Sequence, residues 1–162
     1  MVAEFMQAKR ADPVRILFAL TALCVLAACQ PRPGPPDPVV SAVRENDDQR
    51  VGQYLAEGGD PNRVSSNGEP LLYVATGSRG GIEVMRRLLI GGANIQATNN
   101  SGRTALHNAA GWCHVEMVEE LLAAGADSAA TDNDGNTPVD TVCSGPLDLR
   151  AEVITLLGGT GD

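Results

Sequence analysis

The sequence contains few aromatic residues, which make up only 3% of its 162 positions. Both phenylalanines, Phe5 and Phe18, lie within the first 18 residues. A domain built from the rest of the chain must therefore form its core from Leu, Val, Ile, Ala and Met. The rings that remain for such a core are Tyr54, Tyr73 and Trp112.

Positive charge is also scarce. The chain has 12 Lys and Arg against 20 Asp and Glu, which gives a net charge of −8, and Lys9 is its only lysine. Because binding to DNA or RNA requires clustered basic side chains, this composition argues against a nucleic-acid partner. The acidic excess favours a basic protein partner through long-range electrostatic steering.

The sequence has no apolar run of the length that a membrane-spanning helix needs. The apolar stretch near the N-terminus, residues 16–28, contains 13 residues, whereas a spanning helix needs about 20. Its length suits the apolar region of a secretory signal peptide, and basic residues precede it as they do in such peptides. An uncleaved anchor or a buried core helix is the alternative. The basic residues are Lys9, Arg10 and Arg15, and translation can start at Met1 or at Met6.

Residues 26–29 read LAAC, an aliphatic residue and two small residues before a cysteine. This pattern resembles the lipobox of bacterial lipoproteins. The resemblance implies a lipid on Cys29, cleavage after Ala28 and acylation of the new amino terminus, so that residues 1–28 are a signal peptide. Because Gln30 follows the cysteine instead of Asp, the resemblance further implies an anchor in the outer membrane, with the protein facing the periplasm.

A proline-rich tether is expected over residues 29–37, after the lipidated cysteine. Closely spaced prolines favour an extended polyproline II conformation of about 3.1 Å per residue, which would hold a domain away from the membrane. A ligand for a proline-binding protein is the alternative. The prolines of the tether are Pro31, Pro33, Pro35 and Pro36, and Pro38 follows directly after it.

The rest of the chain repeats with a period of about 33 residues, and two separate landmarks share that period. The first is a turn followed by a short apolar stretch, at residues 67–75, 101–109 and 134–140. The second is a leucine followed by glycine or alanine and then Asp or Asn, at residues 55–60, 89–94 and 122–127.

Each unit reads as a turn followed by two helices. Gly102 suits a tight turn, and Thr104 can cap a short helix that contains Ala105, Leu106, Ala109 and Ala110. A second helix places apolar residues on one face and ends at Gly125. The apolar residues are Val115, Val118, Leu121 and Leu122. Since one such unit cannot bury its apolar stripe alone, neighbouring units are predicted to stack.

The units resemble the ankyrin-repeat family, which is marked by a T-P-L-H-x-A-A stretch and a closing L-L-x-x-G-A-D. The resemblance implies an all-α solenoid of about four stacked helix-turn-helix units with β-turn fingers over residues 38–159. The repeats are expected at residues 38–64, 65–98, 99–131 and 132–159. The unit at 99–131 matches best, and it departs from the family pattern at Ala105 and Cys113.

Nothing in the sequence favours catalysis or a bound cofactor. His107 occupies the position of the T-P-L-H histidine, for which the resemblance implies a hydrogen bond to the backbone between repeats. No Ser or Cys has a recognisable activating partner, and no phosphate-binding glycine loop is present. Asp132, Asp134 and Asn136 are spaced as in a calcium loop, but the later bidentate Glu is missing, so a repeat turn explains them better.

Two cysteines remain once Cys24 leaves with the signal peptide and Cys29 takes the lipid. A disulfide between Cys113 and Cys143 that pins the last repeat is the prediction for an oxidising compartment. Cys143 is expected late in the first helix of the last repeat and Cys113 just after the equivalent helix before it, so the bond requires the two to lean together. The alternatives are two buried thiols, or a metal site formed by Cys113, His114, Cys143 and possibly His107.

The predicted function is a non-catalytic, lipid-anchored module that faces the periplasm as a monomer and binds a protein. A structural or stress-related envelope lipoprotein without a specific ligand is the alternative. The resemblance implies binding along the turn tips and the concave face of the first helices, with Trp112 as the main anchor. The predicted partner-binding residues are Asn67, Glu69, Ser78, Arg79, Asn100, Ser101, Arg103, Trp112, Asn133 and Asn136.

Overall fold

The fold is a row of helix pairs. The computed structural model describes residues 37–79 and 81–159; the predicted signal peptide, the lipidation site Cys29 and the tether up to residue 36 lie outside them. The described residues form seven α-helices and one 3₁₀ helix. These are α1 (Pro38–Arg44), α2 (Asp48–Ala56), α3 (Leu71–Ala75), α4 (Ile82–Ile90), α5 (Ala105–Gly111), α6 (Val115–Ala123), the 3₁₀ helix (Pro138–Thr141) and α7 (Leu147–Leu156).

The helices stack in two layers. In the first layer α3 packs against α1 and α5, and α5 also packs against the 3₁₀ helix. In the second layer α4 packs against α2, and α7 packs against α6. Pairs of helices within a repeat, such as α5 and α6, join the layers. The prediction of an all-α ankyrin-repeat solenoid is confirmed.

The core between the layers is aliphatic, as the composition predicts. It runs from Val39 to Leu157 as one cluster of Val, Leu, Ala and Met side chains, with Tyr54 packed at its edge. In α6 the predicted residues Val118 and Leu121 are completely buried. Met117, which the helical pattern did not single out, is also buried, at 3% exposure.

A β-turn finger precedes the first helix in each of the last three repeats. The residue at its base accepts two backbone N–H groups from the turn; in the third repeat Asn99 Oδ1 accepts from the nitrogens of Ser101 (2.9 Å) and Arg103 (3.0 Å). Gly102 lies at the tip with φ of 75°, a backbone conformation that disfavours side chains with a Cβ atom. Thr104 then caps α5 as predicted.

The last repeat differs from the prediction in its first helix. We expected Cys143 late in that helix, and this placement is wrong: the 3₁₀ helix ends at Thr141, and Val142 has an extended backbone (φ −56°, ψ 138°). Cys143 instead lies in the following loop, where its N–H donates to the carbonyl of Ala110 at 3.2 Å. This hydrogen bond draws the loop against the end of α5.

Within the described ranges, no helix combines the length and the apolar character required to cross a membrane.

Candidate binding groove

The first-layer helices α1, α3 and α5 line a groove with a volume of about 550 Å³. Four of the predicted partner-binding residues line it together, from the second and third repeats: Glu69, Ser78, Arg79 and Trp112. Volumes of this size are typical of sites that hold a small ligand or several side chains. The structure thus brings part of the predicted surface into one concave site.

Aromatic side chains provide the apolar part of the groove. Trp112 follows α5 as its C-cap residue and is 52% exposed. Tyr73 of α3 also lines the groove and is partly buried. Burial raises the pKa of Tyr73, which outweighs the opposing effect of Arg103, so the phenol stays protonated and can donate a hydrogen bond at neutral pH.

Charged side chains at the groove are mostly paired with one another. Arg44 Nη2 lies 2.9 Å from Glu69 Oε2, which ties α1 to the finger of the second repeat. Glu45 forms an ion pair with Arg50. Arg79 is exposed, and within residues 37–79 and 81–159 it has no ion-pair partner.

Two side chains for which the sequence indicated no part in partner binding, Asn108 and the alternative metal ligand His114, fix the shape of the groove. Asn108 Nδ2 donates to the carbonyl of Tyr73 at 2.9 Å, and His114 Nε2 lies 3.0 Å from the carbonyl of Gly77. Both hold the end of α3 and the turn that follows it against the third repeat. The residue types alone do not predict these contacts, because each depends on which backbone carbonyl of the second repeat faces the side chain once the repeats stack.

The fingertips form a second group, separate from the groove lining. Asn100 Nδ2 donates to the carbonyl of Asn67 at 3.0 Å, and Asn133 Nδ2 donates to the carbonyl of Asn100 at 3.1 Å. The N–H of Asn133 also donates to the carbonyl of Ser101 at 3.0 Å. These predicted binding residues therefore connect neighbouring fingers, while their exposure keeps them accessible to a partner.

Arg103 and Asn136 lie in the joint between the third and last repeats. Arg103 Nε is 3.1 Å from Asp132 Oδ2, and the Asp132 side chain is only 1% exposed. Asn136 donates to Asp132 Oδ1 through its backbone N–H at 2.9 Å and through its side-chain Nδ2 at 3.2 Å. Both side chains, which we expected to face a partner, thus donate hydrogen bonds to Asp132. The sequence indicated only a turn position for Asp132.

The Asp132 carboxylate has a strongly perturbed pKa. Burial acts to raise it, but hydrogen bonds from the backbone of Asn136, from Arg103 and from the backbone of Asp134 outweigh burial and lower the pKa to about 2. Because these donors already occupy its oxygens, Asp132 serves as the base of a turn and not as part of a calcium loop.

His107 makes the contact between repeats that the resemblance implies. Its Nδ1 lies 3.2 Å from the N–H of Thr104, which donates to it, so Nε2 carries the hydrogen. Nε2 lies 3.1 Å from the carbonyl of Asn136 in the next repeat. With the ring 1% exposed and both nitrogens occupied, His107 has a structural position.

The structure joins Cys113 and Cys143 in a disulfide with their Cα atoms 5.7 Å apart. Cys113 has a left-handed backbone, with φ of 54°, at the position where the family pattern has glycine. A disulfide leaves no thiolate for a metal ion, so the alternative site with His114 loses two of its ligands. In the described part of the chain, no group of three His, Cys, Asp or Glu side chains is arranged to hold a metal.

Comparison with known proteins agrees with this architecture. A family model described as "Ankyrin repeats (3 copies)" matches residues 39–132 and 72–157. "SH3 and multiple ankyrin repeat domains protein 1" of Homo sapiens is 44% identical over 62 residues, which cover 38% of this chain and 3% of that protein. Its Mus musculus and Rattus norvegicus counterparts match to the same extent. The chain belongs to the ankyrin-repeat family.

Proposed function

We propose that this protein is a lipid-anchored module of the bacterial cell envelope that faces the periplasm, binds a protein partner in its groove and catalyses no reaction. Ankyrin repeats generally mediate protein–protein interaction and are typically non-catalytic. The observation that carries the proposal is the 52% exposure of Trp112 beside a concave site, since exposed tryptophans often supply much of the binding energy at protein interfaces.

Affinity capture from solubilised membranes tests the binding proposal. We expect the wild-type chain to retain one protein in stoichiometric amount and Trp112→Ala to lose it, with unchanged helical circular dichroism. Ile90→Ala is the matched control, because Ile90 is 88% exposed but lies at the end of α4 in the second layer. If no capture depends on Trp112, the structural envelope role without a specific ligand replaces this proposal.

The membrane anchor is supported by the sequence alone, through residues 26–29 and the proline-rich tether. We expect the mature protein to carry lipid on Cys29 and Cys29→Ser to remain unprocessed in the native host. Lys9 is the only lysine and would be removed with the signal peptide, so an N-acylated mature protein has no primary amine. Strong labelling of the mature protein by an amine-reactive dye would refute the processing scheme.

A further inference from the structure

We infer that the groove recognises a peptide segment in which a carboxylate lies next to an apolar side chain, with the carboxylate bound by Arg79 and the apolar group by Trp112. This inference rests on the proposed function and names the chemistry of the partner. It differs from the expectation drawn from net charge, which favours a basic partner.

The pairing of charges inside the groove carries the inference. Four charged side chains line it: Arg44, Glu45, Glu69 and Arg79. Glu69 is neutralised by Arg44 at 2.9 Å, and Glu45 is neutralised by Arg50. Arg79 is the one of these four for which the described residues supply no ion-pair partner. The groove therefore offers an available positive charge in a chain whose net charge is −8.

The backbone that carries Arg79 is fixed from both sides. Asn46 Nδ2 donates to the carbonyl of Arg79 at 3.2 Å, and His114 holds the carbonyl of Gly77 at 3.0 Å. A guanidinium presented from a fixed backbone suits a carboxylate, because its N–H groups can form two parallel hydrogen bonds with the two oxygens.

An apolar group of the same segment would find its site on the aromatic side of the groove. Trp112 exposes half of its surface, and Tyr73 and Val74 line the groove between α1 and α5. Covering these surfaces removes apolar area from water without burying an unpaired charge. Residues that combine these two requirements are Asp or Glu next to Leu, Ile, Phe or Trp.

Long-range attraction and local recognition then favour opposite charges on the partner. The acidic surface attracts a partner that is basic as a whole, whereas the groove selects a local carboxylate within it. A bound segment would cover part of Arg79 and exclude water from the contact, so binding responds to a charge reversal at Arg79 more than to a reversal elsewhere on the surface.

Selection from a random-peptide phage library on the immobilised full chain tests the inference. We expect wild-type chain to select peptides with Asp or Glu within two residues of an apolar residue, and Arg79→Glu to select Lys or Arg at that place. For a selected acidic peptide, Arg79→Glu should weaken binding about 10- to 100-fold. Arg150→Glu is the matched control, because Arg150 is exposed on α7 away from the groove lining, and it should retain wild-type selection.

The outcomes separate this inference from the proposed function. Peptides that require Trp112 but show no acidic enrichment, or an enrichment that Arg79→Glu leaves unchanged, overturn the role of Arg79 while leaving the groove as a binding site. If every selected peptide binds Trp112→Ala as well as wild type, or if no peptide is selected, both the inference and the proposed function are wrong.

Discussion

The third and last repeats start alike and then diverge. In each, one side-chain oxygen at the base of the finger accepts two backbone N–H groups: Asn99 Oδ1 in the third repeat, and Asp132 Oδ1 in the last, at 3.0 Å and 2.9 Å. The third repeat then forms α5, with seven residues, whereas the last forms a 3₁₀ helix of four. The finger is specified by its own residues, but the helix after it depends on its neighbours.

The packing of the two repeats differs as well. α5 is covered by α3 on one side and by the 3₁₀ helix on the other, whereas the described chain places a first-layer neighbour on only one side of the 3₁₀ helix. In the second layer, the helix of the last repeat is likewise less buried than that of the third. α6 buries Met117, Val118 and Leu121, while α7 buries Val153 within its length and leaves Leu147 80% exposed. The last repeat therefore depends on a few links to the third.

The largest effect should come from the core of the third repeat. Leu106 is completely buried, so Leu106→Ala should lower the free energy of unfolding by about 2–5 kcal/mol through lost burial and a cavity. Leu149→Ala, at a position in α7 that is 38% exposed, should cost about 0.5 kcal/mol or less. Urea denaturation followed by circular dichroism measures both. Equal losses would contradict the unequal packing of the two repeats.

Removing the disulfide should have the next largest effect. The bond closes a loop with a sequence separation of 30, and loops of that size typically gain about 2–4 kcal/mol from a disulfide. The double variant Cys113→Ser/Cys143→Ser should therefore unfold at lower urea concentration than the oxidised wild type. Wild type treated with a reductant is the control and should behave like the variant; a reductant that also destabilises the double variant would show that another bond is involved.

The hydrogen bonds to Asp132 should make the free energy of unfolding depend on pH in the acidic range. The pKa of Asp132 in the folded protein is about 2, below its ordinary value of 3.8, so its contribution is fully present above about pH 4 and is lost as the pH falls through 2. Asp132→Asn should therefore lose less stability than wild type between about pH 4 and pH 2.

Thermal unfolding across that range measures the difference. Asp134→Asn, two positions along the same finger and exposed, is the control and should keep the wild-type slope. An Asp132→Asn slope as steep as that of wild type would place the acid-sensitive contact elsewhere.

The smallest effect should come from the fingertips. Asn100→Ala and Asn133→Ala each remove one exposed hydrogen bond between fingers, which should cost about 0.5–1.5 kcal/mol. Asn133 also donates through its backbone, which the substitution leaves in place. The melting temperatures of the two variants should therefore be similar. A much larger loss of stability for either variant would show that the fingertips contribute to stability as much as core residues do.

Features within one repeat could be predicted from the sequence. The 33-residue period, the Thr104 cap and the turn at Gly102 depend on neighbours along the chain, and the structure has them where the sequence indicates. The aliphatic core follows in the same way from the scarcity of aromatic residues. The partner-binding role of the groove residues stays a prediction.

Contacts between repeats were harder to predict, because they depend on the register of stacking. The finger positions of Arg103 and Asn136 predict a place on the binding surface, but neighbouring residues along the chain do not indicate that both side chains turn toward Asp132. The early end of the 3₁₀ helix was missed for a similar reason. Its sequence begins like that of α5, but Val142 stands where α5 continues as a helix and the Gly145-Pro146 pair follows, and the described residues cover it from only one side in the first layer.

Hydrogen exchange of backbone amides, measured with and without a reductant, tests most directly whether the last repeat is held in place by its links to the third. We expect the amides of α5 and α6 to exchange most slowly, those of α7 to exchange faster, and reduction of the Cys113–Cys143 bond to accelerate α7 while leaving α3 and α4 unchanged. Exchange in α7 as slow as in α6 after reduction, or equal acceleration of every helix, would contradict this account.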